Sequence, residues 1–198
     1  MAGEVYLFDA GTPKATFSSS GDVSASVSSG VISWSNPSSG MFCSGYYTTT
    51  INASNYNKII FSATSASGSP NGASCSVGWY INGETKTAAD TVTVSNPSLE
   101  YDISSLTGNI SVGFWYFGNS YFNPGQGFAY GSISQPTVYL IPSAYTITLQ
   151  AGTGISAVSP ATSNTIEPGN SLTIDATVQD GYTWKNWSDS SGSQVTTT

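Results

Sequence analysis

Apolar and polar residues alternate in short runs along most of this chain, and Gly, Pro, Asn and Ser separate the runs. Period-two segments bounded by turn residues read as β-strands. No stretch keeps the i, i+3, i+4, i+7 spacing of a helix face. The pattern predicts strands over Val5–Phe8, Asp22–Val27, Val31–Trp34, Met41–Thr50, Lys58–Ala63, Cys75–Ile81, Thr85–Ala88, Thr91–Val94, Ser111–Phe117 and Thr137–Ile141. A hairpin is expected around Ser28-Ser29-Gly30. Ser65–Gly72 reads as a loop, and Asn71-Gly72 and Asn82-Gly83 as tight turns. These elements suffice for an all-β, two-sheet sandwich over residues 1–141.

Ile141-Pro142-Ser143-Ala144 interrupts the pattern and is read as a linker, residues 142–144. A second β-rich unit is expected over 145–198. It holds strands Tyr145–Leu149 and Ser171–Val178, turns at Gly152-Thr153-Gly154 and Pro168-Gly169, and an aromatic end, Gly181–Trp187. Tyr182, Trp184 and Trp187 are expected to be its main core or interface contributors, with Leu172, Ile174 and Val178 opposite. At about 54 residues such a unit is marginal on its own and should need a neighbour or more chain.

Composition narrows the function classes. Only 8% of the residues are charged, the net charge is −7, and His is absent. The cations are Lys14, Lys58, Lys86 and Lys185, too few and too scattered to track phosphates, so no nucleic-acid partner is expected. Without His, and with two Cys, the usual Zn ligand sets and His-based nucleophile activation are out of reach. No acids fall into a Ca²⁺-loop spacing, so neither metal nor cofactor is assigned. No apolar run is long enough for a transmembrane helix, so no membrane insertion is expected. The first residues lack a basic segment followed by an apolar one, so no secretory leader is expected. Aromatics make up 13% of the chain, far from a disordered composition.

Two resemblances follow. Tyr145–Leu149, Gly152-Thr153-Gly154, Pro168-Gly169, Leu172–Val178 and Gly181-Tyr182-Thr183-Trp184-Lys185-Asn186-Trp187 resemble the B-repeat first named for internalin B, with its Gly-Tyr-x-Phe-x-x-Trp signature. The resemblance implies a small β-grasp-like spacer or adhesive module, here incomplete at its C-terminal end. Asn52–Phe61 and Tyr101–Phe114 resemble jelly-roll modules of bacterial surface proteins and of phage tail and accessory proteins. That implies a jelly-roll-like sandwich that binds carbohydrate or is purely structural, and no ligand residue carries over.

The densest chemical feature is Val112-Gly113-Phe114-Trp115-Tyr116-Phe117, followed by Tyr121-Phe122 and Phe128-Ala129-Tyr130. Alternation puts Phe114 and Tyr116 on one face and Trp115 and Phe117 on the other. Two readings fit: a central strand covered on both sides, or a platform on which pyranose rings stack. In the second, Trp115, Tyr116 and Tyr121 stack, and Asn119, Asn123 and Gln126 hydrogen-bond. One of Tyr46 and Tyr47 should also point outward. Glu100 and Asp102 share a strand parity, yet Asp102 opens a turn where Asp caps amides, and no pair spans a cleft as glycoside hydrolysis requires. Catalysis is therefore not expected. Cys43 and Cys75 lie on separate strands and could bridge if those strands face each other; in a reducing compartment buried thiols are the default.

The expected function is that of a non-catalytic bacteriophage virion surface protein: a capsid decoration, fibre or tail accessory subunit. Its partners would be other virion proteins or further copies of itself, with weak glycan or host-surface binding. The alternative is a carbohydrate-binding or adhesin fragment of a bacterial cell-surface protein. The discriminating fact is which genes and segments flank this one.

Overall fold

The computed structural model describes residues 4–35, 42–68, 74–119, 129–161, 163–167 and 170–195. The chain forms two compact units, Met1–Ser143 and Ala144–Thr198. Both are β-structured. Among the described residues the helical segment is a single 3-10 turn, Ala53–Asn55, capped by the Asn52 side chain accepting from the Ser54 amide.

The first unit holds β1 (Val5–Asp9), β2 (Thr12–Pro13), β3 (Ser18–Gly21), β4 (Ser26–Ser28), β5 (Val31–Ser35), β6 (Phe42–Asn52), β7 (Tyr56–Ser62) and β8 (Ser65–Ser67). It continues with β9 (Ser74–Ile81), β10 (Glu84–Asp90), β11 (Thr93–Ser95), β12 (Ser98–Asp102), β13 (Asn109–Asn119), β14 (Tyr130–Ser134) and β15 (Thr137–Pro142). One layer is the sheet β10-β9-β13-β6-β3, antiparallel throughout. Facing it are two further sheets, β12-β7-β15-β1-β2 and β11-β8-β14-β5-β4. These two are halves of one bent layer. The chain passes from β7 to β8, from β11 to β12 and from β14 to β15 within two or three residues. The bends fall at Asn96-Pro97 and Gln135-Pro136, where Asn96 (φ 50°) and Gln135 (φ 47°) turn left-handed ahead of a residue that lacks an amide hydrogen. Hydrogen bonds from Ala63 N to Pro97 O and from Thr64 N to Ser134 O, both 3.0 Å, stitch the corner. The result is a jelly-roll-like β-sandwich.

The core lies between the layers. Phe114 on β13 meets Phe8 edge-on at 5.5 Å and sits 5.9 Å from Trp79. Trp79 in turn stacks on Phe61 at 5.2 Å, and Trp34 stacks on Tyr116 at 6.1 Å. Phe8, Phe61, Phe114, Tyr116, Ile59 and Leu140 are inaccessible to solvent.

Several expected elements appear shifted. Asp22–Val27 is not one strand: Ser18–Gly21 joins one layer and Ser26–Ser28 the other. The crossing is held by Asp22 N donating to Ser44 O at 2.7 Å. The hairpin after β4 is present, with Ser29 (φ 50°) and Gly30 (φ 76°) both left-handed, as a two-residue turn demands. The Ser65–Gly72 loop contains β8, whose Ala66 is buried between β11 and β14. Met41 and Asn71-Gly72 lie outside the described residues. Cys43 and Cys75 both stand opposite Gly118 on its two neighbouring strands. They are two strand spacings apart, about 9.6 Å, beyond the span of a disulfide.

The second unit contains β16 (Tyr145–Ile147), β17 (Ile155–Ser159), β18 (Asn164–Ile166), β19 (Asp175–Val178), β20 (Trp187–Ser188) and β21 (Gln194–Val195), paired as β16-β18, β17-β19 and β20-β21. No large side chain of this unit is buried among the described residues. Tyr182 (54% exposed) and Trp184 (41%) are therefore not core residues; Trp187, Leu172, Ile174 and Val178 are half-buried. Three separate strand pairs offer no continuous face to close over the rings. Pro168-Gly169 lies outside the described residues. Trp184→Ala should accordingly leave the melting temperature close to wild type, by calorimetry, rather than remove the several kcal/mol of a buried indole.

The β20-β21 turn is tied by Asp189, whose Oδ1 accepts from Ser191 N, Ser191 Oγ and Ser193 N at 2.6–3.0 Å. The Ser191 hydroxyl, and then the amides, hold this carboxyl below the usual aspartate range. A depressed carboxylate contributes its stability above the unfolded-state pKa and loses it as pH falls through the folded value. Amide resonances of Ser191 and Ser193 should therefore move toward random-coil positions on acidification below the ordinary aspartate range. Their constancy to the lowest accessible pH would show that the carboxylate is not what holds the turn.

Candidate functional site

Strand β13 is the centre of its sheet, and its two faces have different fates. Val112, Phe114 and Tyr116 face the core, so Gly113, Trp115, Phe117 and Asn119 face away from it. Register places Trp115 between Tyr46 and Gly78, Gly113 between Thr48 and Tyr80, Phe117 between Ser44 and Ser76, and Asn119 between Phe42 and Ser74. Five aromatic side chains thus share the outer face: Phe42, Tyr46, Tyr80, Trp115 and Phe117.

These rings are organised in contacts. Tyr46 and Tyr80 meet at 5.0 Å and 64° from opposite sides of β13, where Gly113 has no side chain. Phe42 and Phe117 stack at 5.8 Å. The Trp115 indole lies toward Gly78, where an added Cβ would be 2.8 Å from its Nε1, and donates to the Lys86 carbonyl at 3.2 Å. That hydrogen bond fixes the ring orientation while the indole stays half-buried. Hydroxyls surround the rings: Ser44, Thr48, Ser76 and Ser111 by register, with Ser76 donating to Asp90 at 2.8 Å. A half-exposed aromatic platform among neutral hydrogen-bonding groups is suited to stacking on sugar rings.

The structure separates the residues expected from the sequence. Trp115 belongs to the platform. Tyr116 does not: its ring is buried against Trp34 and its hydroxyl donates to Ala129 O at 3.0 Å. Burial pushes that phenol well above its ordinary pKa, so it remains a neutral donor. Asn119 closes the strand on the platform face, and among the described residues its buried Oδ1 has no hydrogen-bond partner. Tyr121, Asn123 and Gln126 lie outside the described residues. Of the tyrosine pair, Tyr46 points outward, while Tyr47 packs on Phe17 at 5.0 Å. Tyr80 and Phe42 were missed. The available signal for Tyr80 was its parity, opposite to that of Val77 and Trp79.

Glu100 and Asp102, the two acids of shared strand parity, each have a partner. Glu100 forms an ion pair with Lys58. Asp102 accepts from the Ser104 amide at 2.8 Å, and the Ser104 hydroxyl followed by that amide lowers its pKa, where a general acid needs a raised one. Among the described residues no group of three or more Cys, Asp or Glu could hold a metal, and no helix is long and apolar enough to cross a membrane.

No family model and no curated protein matches the chain. Solved structures similar to the chain at low identity include the following two. One is a family 61 carbohydrate-binding module in complex with β-1,4-galactotriose: 12% identity over 64% of this chain and 89% of that one, TM-score 0.39. The other is the enzymatically active domain of tailspike protein 4 of bacteriophage CBA120: 13% identity over 64% of this chain, TM-score 0.35. This chain spans only 19% of the tailspike structure.

Proposed function

We propose that this chain is a non-catalytic glycan-binding protein whose binding surface is the outer face of the β10-β9-β13-β6-β3 sheet. The observation that carries this reading is the half-exposed group Tyr46, Tyr80 and Trp115, oriented by ring contacts and by the Trp115–Lys86 hydrogen bond. Among the described residues, the charged group that register and contact place on this face is Asp90, already engaged by Ser76. A neutral glycan suits it, and binding should depend only weakly on salt.

A glycan array with the wild type, Trp115→Ala and Tyr46→Ala tests this. Each substitution should weaken binding at least tenfold, about 1.4 kcal/mol. Glycan binding that neither substitution changes would remove the face from consideration.

The setting proposed with it is the outside of a phage particle, where the chain is a decoration, fibre or tail accessory subunit. Attachment to other virion proteins, or to copies of itself, would run through apolar and backbone contacts. Sparse charge supports this, since Lys14, Lys58 and Lys86 are engaged by Asp9, Glu100 and Glu84. Mass spectrometry of purified virions is the check. Absence from every particle fraction would transfer the same glycan-binding role to a bacterial cell surface.

A further inference from the structure

The second unit carries its own cleft, remote in sequence from the sheet face. It has a volume of about 230 Å³ and is bounded by Gln150, Thr153, Trp184, Lys185, Asn186 and Trp187 among others. Trp184 and Trp187 meet edge-to-face at 5.0 Å and 65°, forming a corner of two indoles, one of them 41% exposed. The volume is below the usual range of drug-sized pockets, roughly 300 Å³ and up, which suits one ring rather than a chain.

Charge singles this cleft out. Three of the four lysines form ion pairs with carboxylates, and among the described residues Lys185 forms none. Among the described residues no carboxylate lines the cleft. In an Arg-free chain of net charge −7, this lysine lines the same cleft as the two indoles. Beside it, the Asn186 amide NH₂ donates to Trp187 O at 3.0 Å, leaving its Oδ1 as an acceptor for hydroxyls. An apolar ring face, one cation and amide and hydroxyl groups together match a sugar ring that bears an anion.

We propose that the Trp184–Lys185–Trp187 cleft binds an acidic sugar, a pyranose bearing a carboxylate, such as a uronic acid. The ring stacks on an indole, the carboxylate pairs with the Lys185 ammonium, and ring hydroxyls meet Asn186, Gln150 and Thr153. This site is independent of the sheet face, and either can fail without the other.

The test uses the full chain, with indole N–H resonances followed by NMR during titration with a glucuronic acid disaccharide, its neutral glucose counterpart, and acetate. Uronate is expected to shift the Trp184 and Trp187 signals in a saturable way, at least fivefold more tightly than either control. Lys185→Gln should remove that preference and its salt dependence, Trp184→Ala should abolish binding, and Trp115→Ala should leave both intact. Equal response to acetate would mean simple anion attraction and would overturn the proposal. So would absence of saturable uronate binding, binding unchanged in both cleft variants, or binding lost through Trp115→Ala. Lys185 and Trp184 are both exposed, so their substitutions report on binding rather than on folding.

Discussion

Replacing Phe114 with alanine is expected to destabilise the first unit by about 3–5 kcal/mol, the range for a buried aromatic truncated in a close-packed core. The upper part of that range is the better expectation here. Phe114 is fully buried at the middle of the central strand, and it meets rings from both layers: Phe8 at 5.5 Å, Trp79 at 5.9 Å, Phe17 at 6.0 Å and Tyr47 at 6.5 Å. Rings of that size are locked by their own neighbours and cannot collapse into the space a phenyl leaves. Natively folded protein should therefore melt well below wild type, or be recovered in small amounts. Phe117→Ala, one turn of the pleat away on the outer face, should cost far less, because Phe117 is only half-buried and packs mainly on exposed Phe42. Urea denaturation of the two variants checks the contrast. Equal losses would mean that the outer face is covered as the inner one is, and the platform reading would lose its basis.

The same strand shows what the sequence made legible. Alternation alone assigned Phe114 and Tyr116 to one side and Trp115 and Phe117 to the other. Tyr116 could therefore not have shared a platform with Trp115, and parity was the better guide than the density of aromatics. The all-β class and the Asn82-Gly83 turn, with φ values of 47° and 93°, were equally local facts. What local pattern could not supply was strand order. Tyr46 and Tyr80 lie 34 residues apart and meet only because β6 and β9 flank β13. The sequence pattern does not mark strands β8 and β14, because Ser-Ala-Ser and Gly-Ser-Ile-Ser carry little apolar signal, yet pairing with each other places Ala66 and Ile133 in the core. In the second unit the aromatic end was visible, but whether Tyr182 and Trp184 are buried depends on what closes over them, and that is not encoded in their spacing.

Gly78→Ala is the second substitution with a large expected effect, because it joins stability to function at one position. A Cβ there would fall 2.0 Å from the Lys86 carbonyl oxygen and 2.8 Å from Ala88 N, both backbone atoms of the adjoining β10. Backbone held in a ladder cannot step aside as a side-chain tip can. The alternative is for β10 to move outward at the irregularity between Thr87 and Ala89, which opens its pairing with β9. Overpacking of this kind costs about 1–3 kcal/mol, and a clash with backbone argues for the top of that range. The same Cβ would lie 2.8 Å from Trp115 Nε1, so the indole must leave the position from which it reaches the Lys86 carbonyl. Glycan affinity should then fall at least as far as in Trp115→Ala, although the indole itself is retained. Gly152→Ala, with no atom within 4 Å of the added Cβ, is the matched control and should be silent in stability. Urea denaturation and the glycan array, run on folded Gly78→Ala protein, separate the two effects. Lowered stability with wild-type glycan binding would show that the orientation of Trp115 is not what the ligand reads.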